Sequence, residues 1–301
     1  MISNVARAEA ESFGALVGRK SRGARLRSLA LRHPLGLLSF VILILLTVLA
    51  VFAPIVSQGV DPLKVNGMNV LLPPGPSHLA GTDEFGRDIF TRIVYGARIS
   101  LWVGLIAVGI SVVIGVPMGL ISGYAGGKVD MVLQRIVDAL FAFPTIILAM
   151  TVISVLGRGI LPVTIAVGIV GVPRMARVVR ASTLNVMAQP YLEASLAIGA
   201  AAPRVLFRHI APNIMAPVIV LATAGVGVAI LAEASLSFLG LGVTPPQPSW
   251  GTMLSGGAQQ YIRIAPWMAI APGIAISVSV FAFNLFGDSL RDILDPRLRG
   301  V

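Results

Sequence analysis

Long apolar stretches free of charge constrain this chain more than any other feature. Pro34 to Val60, densest from Leu35 to Ile55, contains no Asp, Glu, Lys or Arg. The same holds for Ile99 to Gly127, Ala139 to Leu156, Gly159 to Pro173, Ile210 to Ala232 and Ile264 to Gly287. A helix that crosses a bilayer needs ~20 mostly apolar residues. A helix also satisfies its own backbone hydrogen bonds, as lipid requires. None of these stretches alternates apolar and polar residues as a barrel strand does. The expected fold class is therefore all-α: a polytopic membrane protein of six transmembrane helices, the third starting near Met131. Composition agrees. Only 12% of the 301 residues are charged, against roughly 25% in soluble domains. Too little polar surface exists to coat a globule, and disordered chains are polar and charged. The chain has no cysteine, which excludes disulfides, thiolate metal sites and cysteine nucleophiles.

The fourth stretch is short, and the distribution of basic residues tests it. With six spans and a cytoplasmic N-terminus, 17 of the 23 Lys and Arg fall inside and six outside. If the fourth stretch did not cross, the split would be 10 inside and 13 outside. Six spans with both termini cytoplasmic is the better reading. The net charge of +10 is then a topology signal rather than a nucleic-acid surface. The basic N-tail before an apolar run resembles a signal peptide, with Val51-Phe52-Ala53 as a cleavage site. The apolar run is too long for one and Pro54 follows the cut, so a retained helix is expected.

The segments divide as follows: a basic tail at 1–33, the first helix at 34–57 and an extracytoplasmic loop at 58–98. A five-helix core follows at 99–288, holding a cytoplasmic loop at 173–212 and an extracytoplasmic loop at 240–263. A cytoplasmic tail ends the chain at 289–301. The first outer loop is rich in turns, Leu72-Pro73-Pro74-Gly75-Pro76 and then Gly81-Thr82-Asp83-Glu84-Phe85-Gly86-Arg87-Asp88. Its prolines prevent a long helix. Asp83, Glu84 and Asp88 beside Arg87 and Arg92 suggest an ion-pair cluster capping the bundle. In the second outer loop and just beyond it, Trp250 and Trp267 suit the membrane interface. The cytoplasmic loop reads as two short helices. One runs near Pro190–Ala200, with proline in its first turn and Gly199 ending it in a left-handed conformation. The other runs from Pro203 to Ile210 and is closed by Pro212. Leu206, Phe207 and Ile210 give this second helix an apolar face, and Arg204 and Arg208 a basic one. Such a hairpin lies at the headgroups or docks on a soluble partner, helix in groove.

Familiar catalytic motifs are missing. Gly126-Gly127-Lys128-Val129 lacks the earlier glycine and the following Ser or Thr of a Walker A phosphate loop. His33, His78 and His209 sit in separate segments and cannot share a metal. No Gly-x-Ser-x-Gly or His-Glu-x-x-His occurs. No enzymatic role, cofactor or metal site is expected. Glu233 is the clearest ionisable residue at membrane depth, about 30 Å up the fifth helix and so near the outer interface. It either lines a translocation cavity, pairs with a neighbour or snorkels. Arg135 and Asp138, three apart, suggest a local ion pair. Asp288 and Asp292 read as anchors at the cytoplasmic end of the last helix. Glu-Ala-Ser-Leu occurs at 193–196 and 233–236, and the second copy reads as coincidence.

Glu193-Ala194-Ser195, Gly199 and then Pro212 resemble the EAA loop of ABC importer permeases. Further residues widen the likeness: Gly81-Thr82-Asp83 with Gly86-Arg87-Asp88, Tyr95 to Leu101, Ala234 to Gly242 with Pro-Pro-Gln-Pro-Ser-Trp-Gly after it, and the tail from Ala282 to Leu298. Together they resemble the C-type subunit of dipeptide, oligopeptide and nickel importers over roughly residues 35 to 300. Two departures stand out, Ser195 for the second alanine of EAA and Ala211 where leucine is usual, and neither disturbs a helix. The resemblance implies one N-terminal helix plus a five-helix permease core in a bacterial inner membrane. It also implies a homologous second permease, two cytoplasmic ATP-binding subunits and an extracytoplasmic substrate-binding protein, with peptide as the usual substrate. Glu193, Ala194, Ser195, Gly199, Arg204, Phe207, Ile210 and Pro212 become the candidate ATPase-coupling residues. Glu233 and Asn284 are the candidate pathway-lining residues. The pathway helices hold no cluster of His or carboxylates, which favours peptide over nickel. The competing reading is a stand-alone channel or a proton-coupled carrier using Glu233.

Overall fold

The computed structural model describes residues 34–294, and no strand is formed among them. The basic tail, His33 and the residues after Leu294 lie outside the described residues. Nine helices matter here: α1 (Pro34–Val51), α2 (Ile89–Ala125), α3 (Gly127–Phe141), α4 (Thr145–Leu156), α5 (Ile160–Met187), α6 (Pro190–Ala197), α7 (Ala202–Phe238), α8 (Trp250–Leu254) and α9 (Trp267–Leu294). Five of them, α1, α2, α5, α7 and α9, are long and apolar enough to cross a bilayer, and α3 with α4 makes a sixth span if the bent pair counts as one. The all-α bundle expected from the apolar stretches is what forms.

Several boundaries differ from the expectation, each for a physical reason. Helix α2 begins at Ile89, not Ile99, because Asp88 caps it by accepting from the Thr91 N–H at 2.8 Å. Arg92 and Arg98 therefore lie on the helix. Arg92 is buried beside Asp83, and Arg98 reaches the Val51 carbonyl at the end of α1. The third apolar stretch is not one rod. Helices α3 and α4 meet at 94°, because Pro144 keeps the residue before it out of helical geometry and has no N–H to give. Helix α5 does not stop at Pro173 but runs on to Met187. One missing hydrogen bond inside a packed membrane helix is tolerated, and Pro173 is buried. Nor does Pro212 close a separate hairpin helix. Ala202 to Phe238 is one continuous helix, with a π-turn at Val205–Ile210 in which the Ala211 N–H reaches back to the Leu206 carbonyl. That wider turn takes up the bond Pro212 cannot make.

Helices α2 and α5 form the closest seam. Gly115, Gly119 and Gly123, one turn apart on α2, face Met175, Val179 and Thr183 on α5. A Cβ on Gly119 would stand 2.8 Å from Val179 Cβ and 2.9 Å from the Arg180 nitrogen. Only glycine lets the backbones come so near. The core is layered along the bundle. Val103, Ala107, Ile153, Val163 and Leu236 pack in one cluster, and Leu101, Ile230, Trp250 and Ile276 in another. Leu120, Val179, Leu192, Val205 and Ile214 form the cluster that holds the hairpin at 188–210.

The loop between α1 and α2 folds over one end of the bundle as a cap. Asp83 accepts from the Phe85 and Arg87 backbone N–H groups, both at 2.9 Å, and pairs with Arg87 at 2.7 Å. Glu84 and Arg92 complete that cluster. Asp88 stands apart from it, since its carboxylate caps α2 and meets the His78 ring at 3.0 Å. Trp250 departs from the interfacial role expected of it. It is 1% exposed, at the start of α8, and its indole N–H donates to the Ile93 carbonyl at 3.0 Å. Trp267 is half-buried and donates to the Thr82 carbonyl at 3.2 Å. Each indole bonds a loop or helix of the protein instead of a headgroup.

Candidate functional site

Two regions could carry function, the hairpin at one end of the bundle and a cavity in its middle. In the hairpin, Pro190 begins α6 and Leu192 anchors it, fully buried in the cluster with Val179, Val205 and Ile214. Gly199 ends it at φ +79°. Its N–H bonds the Leu196 carbonyl at 3.0 Å, and the Ala200 N–H bonds Ser195 at 3.1 Å. This paired closure of a helix end requires a left-handed residue. Space around the missing Cβ is open, so glycine is needed here for its backbone alone. The chain then turns into α7, braced by Asn213, which donates to the His209 carbonyl at 2.6 Å and to the Tyr191 hydroxyl at 3.3 Å.

The structure sorts the sequence candidates of this region into two groups. Glu193, Ala194, Gly199, Arg204, Phe207 and Pro212 are exposed, and Ser195 is partly so. Phe207 is 75% exposed, a large cost unless something covers it. Ile210, read from the sequence as part of the same apolar face, is fully buried and serves the bundle instead. Ile198, at 86% exposure, is a surface residue that the sequence reading missed. Its position just before the helix-ending glycine gave no periodic signal. Glu193, Arg204 and Arg208 make no ion pair among the described residues. The hairpin thus exposes two large apolar side chains, Ile198 and Phe207, together with three charges that make no ion pair among the described residues.

The cavity lies between α2, the α3–α4 bend, α5 and α7. It has a volume of about 220 Å³ and a mainly apolar lining that includes Ala107, Ser111, Val167, Leu221, Val228 and Arg174. Neither Glu233 nor Asn284 is part of the lining. Asn284 is exposed on α9. Glu233 is fully buried and accepts from Ser237 at 2.7 Å and from Ser100 at 3.2 Å. The same serine hydroxyls accept from the Val243 and Trp250 backbone N–H groups at 3.2 Å and 3.4 Å. The carboxyl therefore ties α2 and α7 to the loop between α7 and α8 and to α8 itself. Helices α3 and α5 are joined by Asp130–Arg180 at 2.6 Å and Asp138–Arg177 at 2.8 Å. The pair expected within α3, Arg135 with Asp138, does not form, because Asp138 turns to Arg177, whose guanidinium also covers the Phe141 ring at 4.2 Å.

Comparison with known proteins agrees with this architecture. Residues 115–300 match the family described as binding-protein-dependent transport system inner membrane component. The chain is 43% identical over 268 residues to the dipeptide transport system permease protein DppC of Alkalihalophilus pseudofirmus, covering 89% of this chain and 88% of that one. It is 42% identical over 267 residues to the oligopeptide transport system permease protein OppC of Bacillus subtilis, covering 89% and 87%. It is 45% identical over 226 residues to the glutathione transport system permease protein GsiD of Pectobacterium atrosepticum, covering 75% of each. A solved structure of the MetNI methionine ABC transporter aligns with a TM-score of 0.57 at 19% identity, covering 68% of this chain and 96% of that one. The last likeness shows a shared fold.

Proposed function

We propose, from the premise that this chain belongs to the ABC importer permeases described as binding-protein-dependent transport system inner membrane components, that it is one of two permease subunits in an ATP-driven peptide importer. Peptide is the substrate class because relatives that match over most of their length are named for dipeptide, oligopeptide and glutathione transport. A homologous permease would complete the pathway, an extracytoplasmic binding protein would deliver the solute, and two ATPase subunits would sit under the hairpins. The charge split supports a bacterial inner-membrane protein with both termini cytoplasmic.

One observation carries the coupling role: an exposed Phe207 and Ile198 flanked by Glu193, Arg204 and Arg208, on a hairpin whose other face is sunk in the bundle. A free surface of that kind fits a groove on a soluble subunit. ATP would shift the assembly between two access states only in so far as it binds one of them more tightly. Glu193, Ala194, Ser195, Gly199 and Pro212 shape and orient the docking surface. Substituting Gly199→Val forces a branched residue into the left-handed region, which costs about 1–2 kcal/mol locally and touches no neighbour. Membrane insertion should persist while substrate-stimulated ATP turnover of the reconstituted complex falls. Normal turnover in that complex would refute the coupling role. Copurification of an ATPase and a second permease separates this reading from a stand-alone carrier, which needs neither.

A further inference from the structure

We propose that Arg174 is a specificity residue of the translocation cavity and engages the C-terminal carboxylate of the passing peptide, an inference that rests on the peptide-importer reading above. Helix α5 carries Arg174, Arg177 and Arg180 at three-residue spacing. Arg177 and Arg180 are each held by an aspartate of α3. Arg174 has no ion-pair or hydrogen-bond partner among the described residues, and it lines the cavity. It lies about 21 Å along α5 from Ile160, one turn before the Arg177–Asp138 pair, and is exposed where it lines the cavity. No carboxylate lines the cavity beside it, so the wall is apolar with one cation. The complement of that surface is an apolar body ending in an anion.

Size agrees. At about 220 Å³ the space is smaller than the ~300–1,000 Å³ that encloses a drug-sized ligand, so it admits one end of a peptide. The guanidinium fork matches a carboxylate in two-point geometry. The apolar remainder offers side chains contact without tight binding, as a transit site requires.

The test uses the complete transporter, purified with its partner subunits and reconstituted in proteoliposomes. ATP-driven uptake of radiolabelled Ala-Ala and of Ala-Ala amide is measured, each peptide saturating the binding protein so that capture outside cancels. In the Arg174→Gln transporter, uptake of the free acid should fall about tenfold to a hundredfold, the range for losing one charge-assisted bond. Uptake of the amide should hold, which also shows that the variant is folded, and Arg174→Lys should recover part of the loss. An equal loss for both peptides, or none for either, overturns the assignment. So does loss of the second permease from the purified Arg174→Gln complex, which would place that subunit's surface against Arg174. A defect that depends on the anionic lipid content of the vesicles, with an unchanged acid-to-amide ratio, overturns it in favour of a headgroup. If the unsubstituted complex takes up neither peptide, the peptide reading itself fails and this inference falls with it.

Discussion

Replacing Gly119 by alanine should loosen the seam between α2 and α5, and Gly109 on the same helix supplies the control. A Cβ at Gly119 would lie 2.8 Å from Val179 Cβ and 2.9 Å from the Arg180 backbone nitrogen, and would also press on the Ala176 carbonyl. Backbone atoms cannot rotate aside, so the helices must separate by about 1 Å to restore ordinary carbon contacts near 3.5–4.0 Å. Overpacking of this kind costs about 1–3 kcal/mol. Alanine regains up to ~1 kcal/mol through its better helix propensity. With the full gain counted, the net effect at Gly119 is a loss of up to about 2 kcal/mol. At Gly109 nothing stands within 4 Å of the added Cβ, so only the propensity gain of about 0.5–1 kcal/mol remains. Equilibrium unfolding in mixed detergent micelles, read by fluorescence, should order the proteins Gly109→Ala, unsubstituted, Gly119→Ala from most to least stable. A Gly119→Ala protein as stable as Gly109→Ala would refute the seam as the site of closest approach.

Two further outcomes follow from the buried carboxyl and the hairpin. Glu233→Gln should keep peptide uptake within about twofold, since an amide can still bond both serines, whereas Glu233→Leu strands the Ser100 and Ser237 hydroxyls at about 1–3 kcal/mol each and should lower the yield of folded protein. Abolished uptake in Glu233→Gln with normal yield would instead favour the proton-coupled carrier. Because the chain has no cysteine, Ser195→Cys gives a single labelling site. An impermeant maleimide should reach it in inside-out vesicles and not in intact spheroplasts, and the opposite pattern would invert the topology.

Helical spans were legible because uncharged apolar stretches have few other fates. Their ends were not. Screening for absence of charge cut α2 short at Arg98 and α5 at Arg174, although Arg92 and Arg98 find partners within the protein. Pro173 looked like a stop because local rules price the missing hydrogen bond but not the packing around it. Asp138 chose Arg177, 39 residues away, over Arg135 three away, and no spacing rule on one helix sees that. Gly199 was readable, since a glycine after a proline-initiated helix has one common use. Trp250 was misread because the helices that bury it, α2, α7 and α9, are supplied from other parts of the chain. Arg174 was invisible as a cavity residue for as long as its helix ended one residue before it.

The unbroken course of α7 from Ala202 to Phe238 has a mechanical corollary. At 1.5 Å per residue it is a lever arm of about 55 Å, carrying Arg204 and Phe207 at one tip and Glu233 near the other. A tilt of only ~10° about the far end would sweep the near tip through about 10 Å. Under the proposed coupling role, the π-turn at Val205–Ile210 interrupts the regular helix of that arm, so its stiffness would set how much of a push on Phe207 reaches the far end.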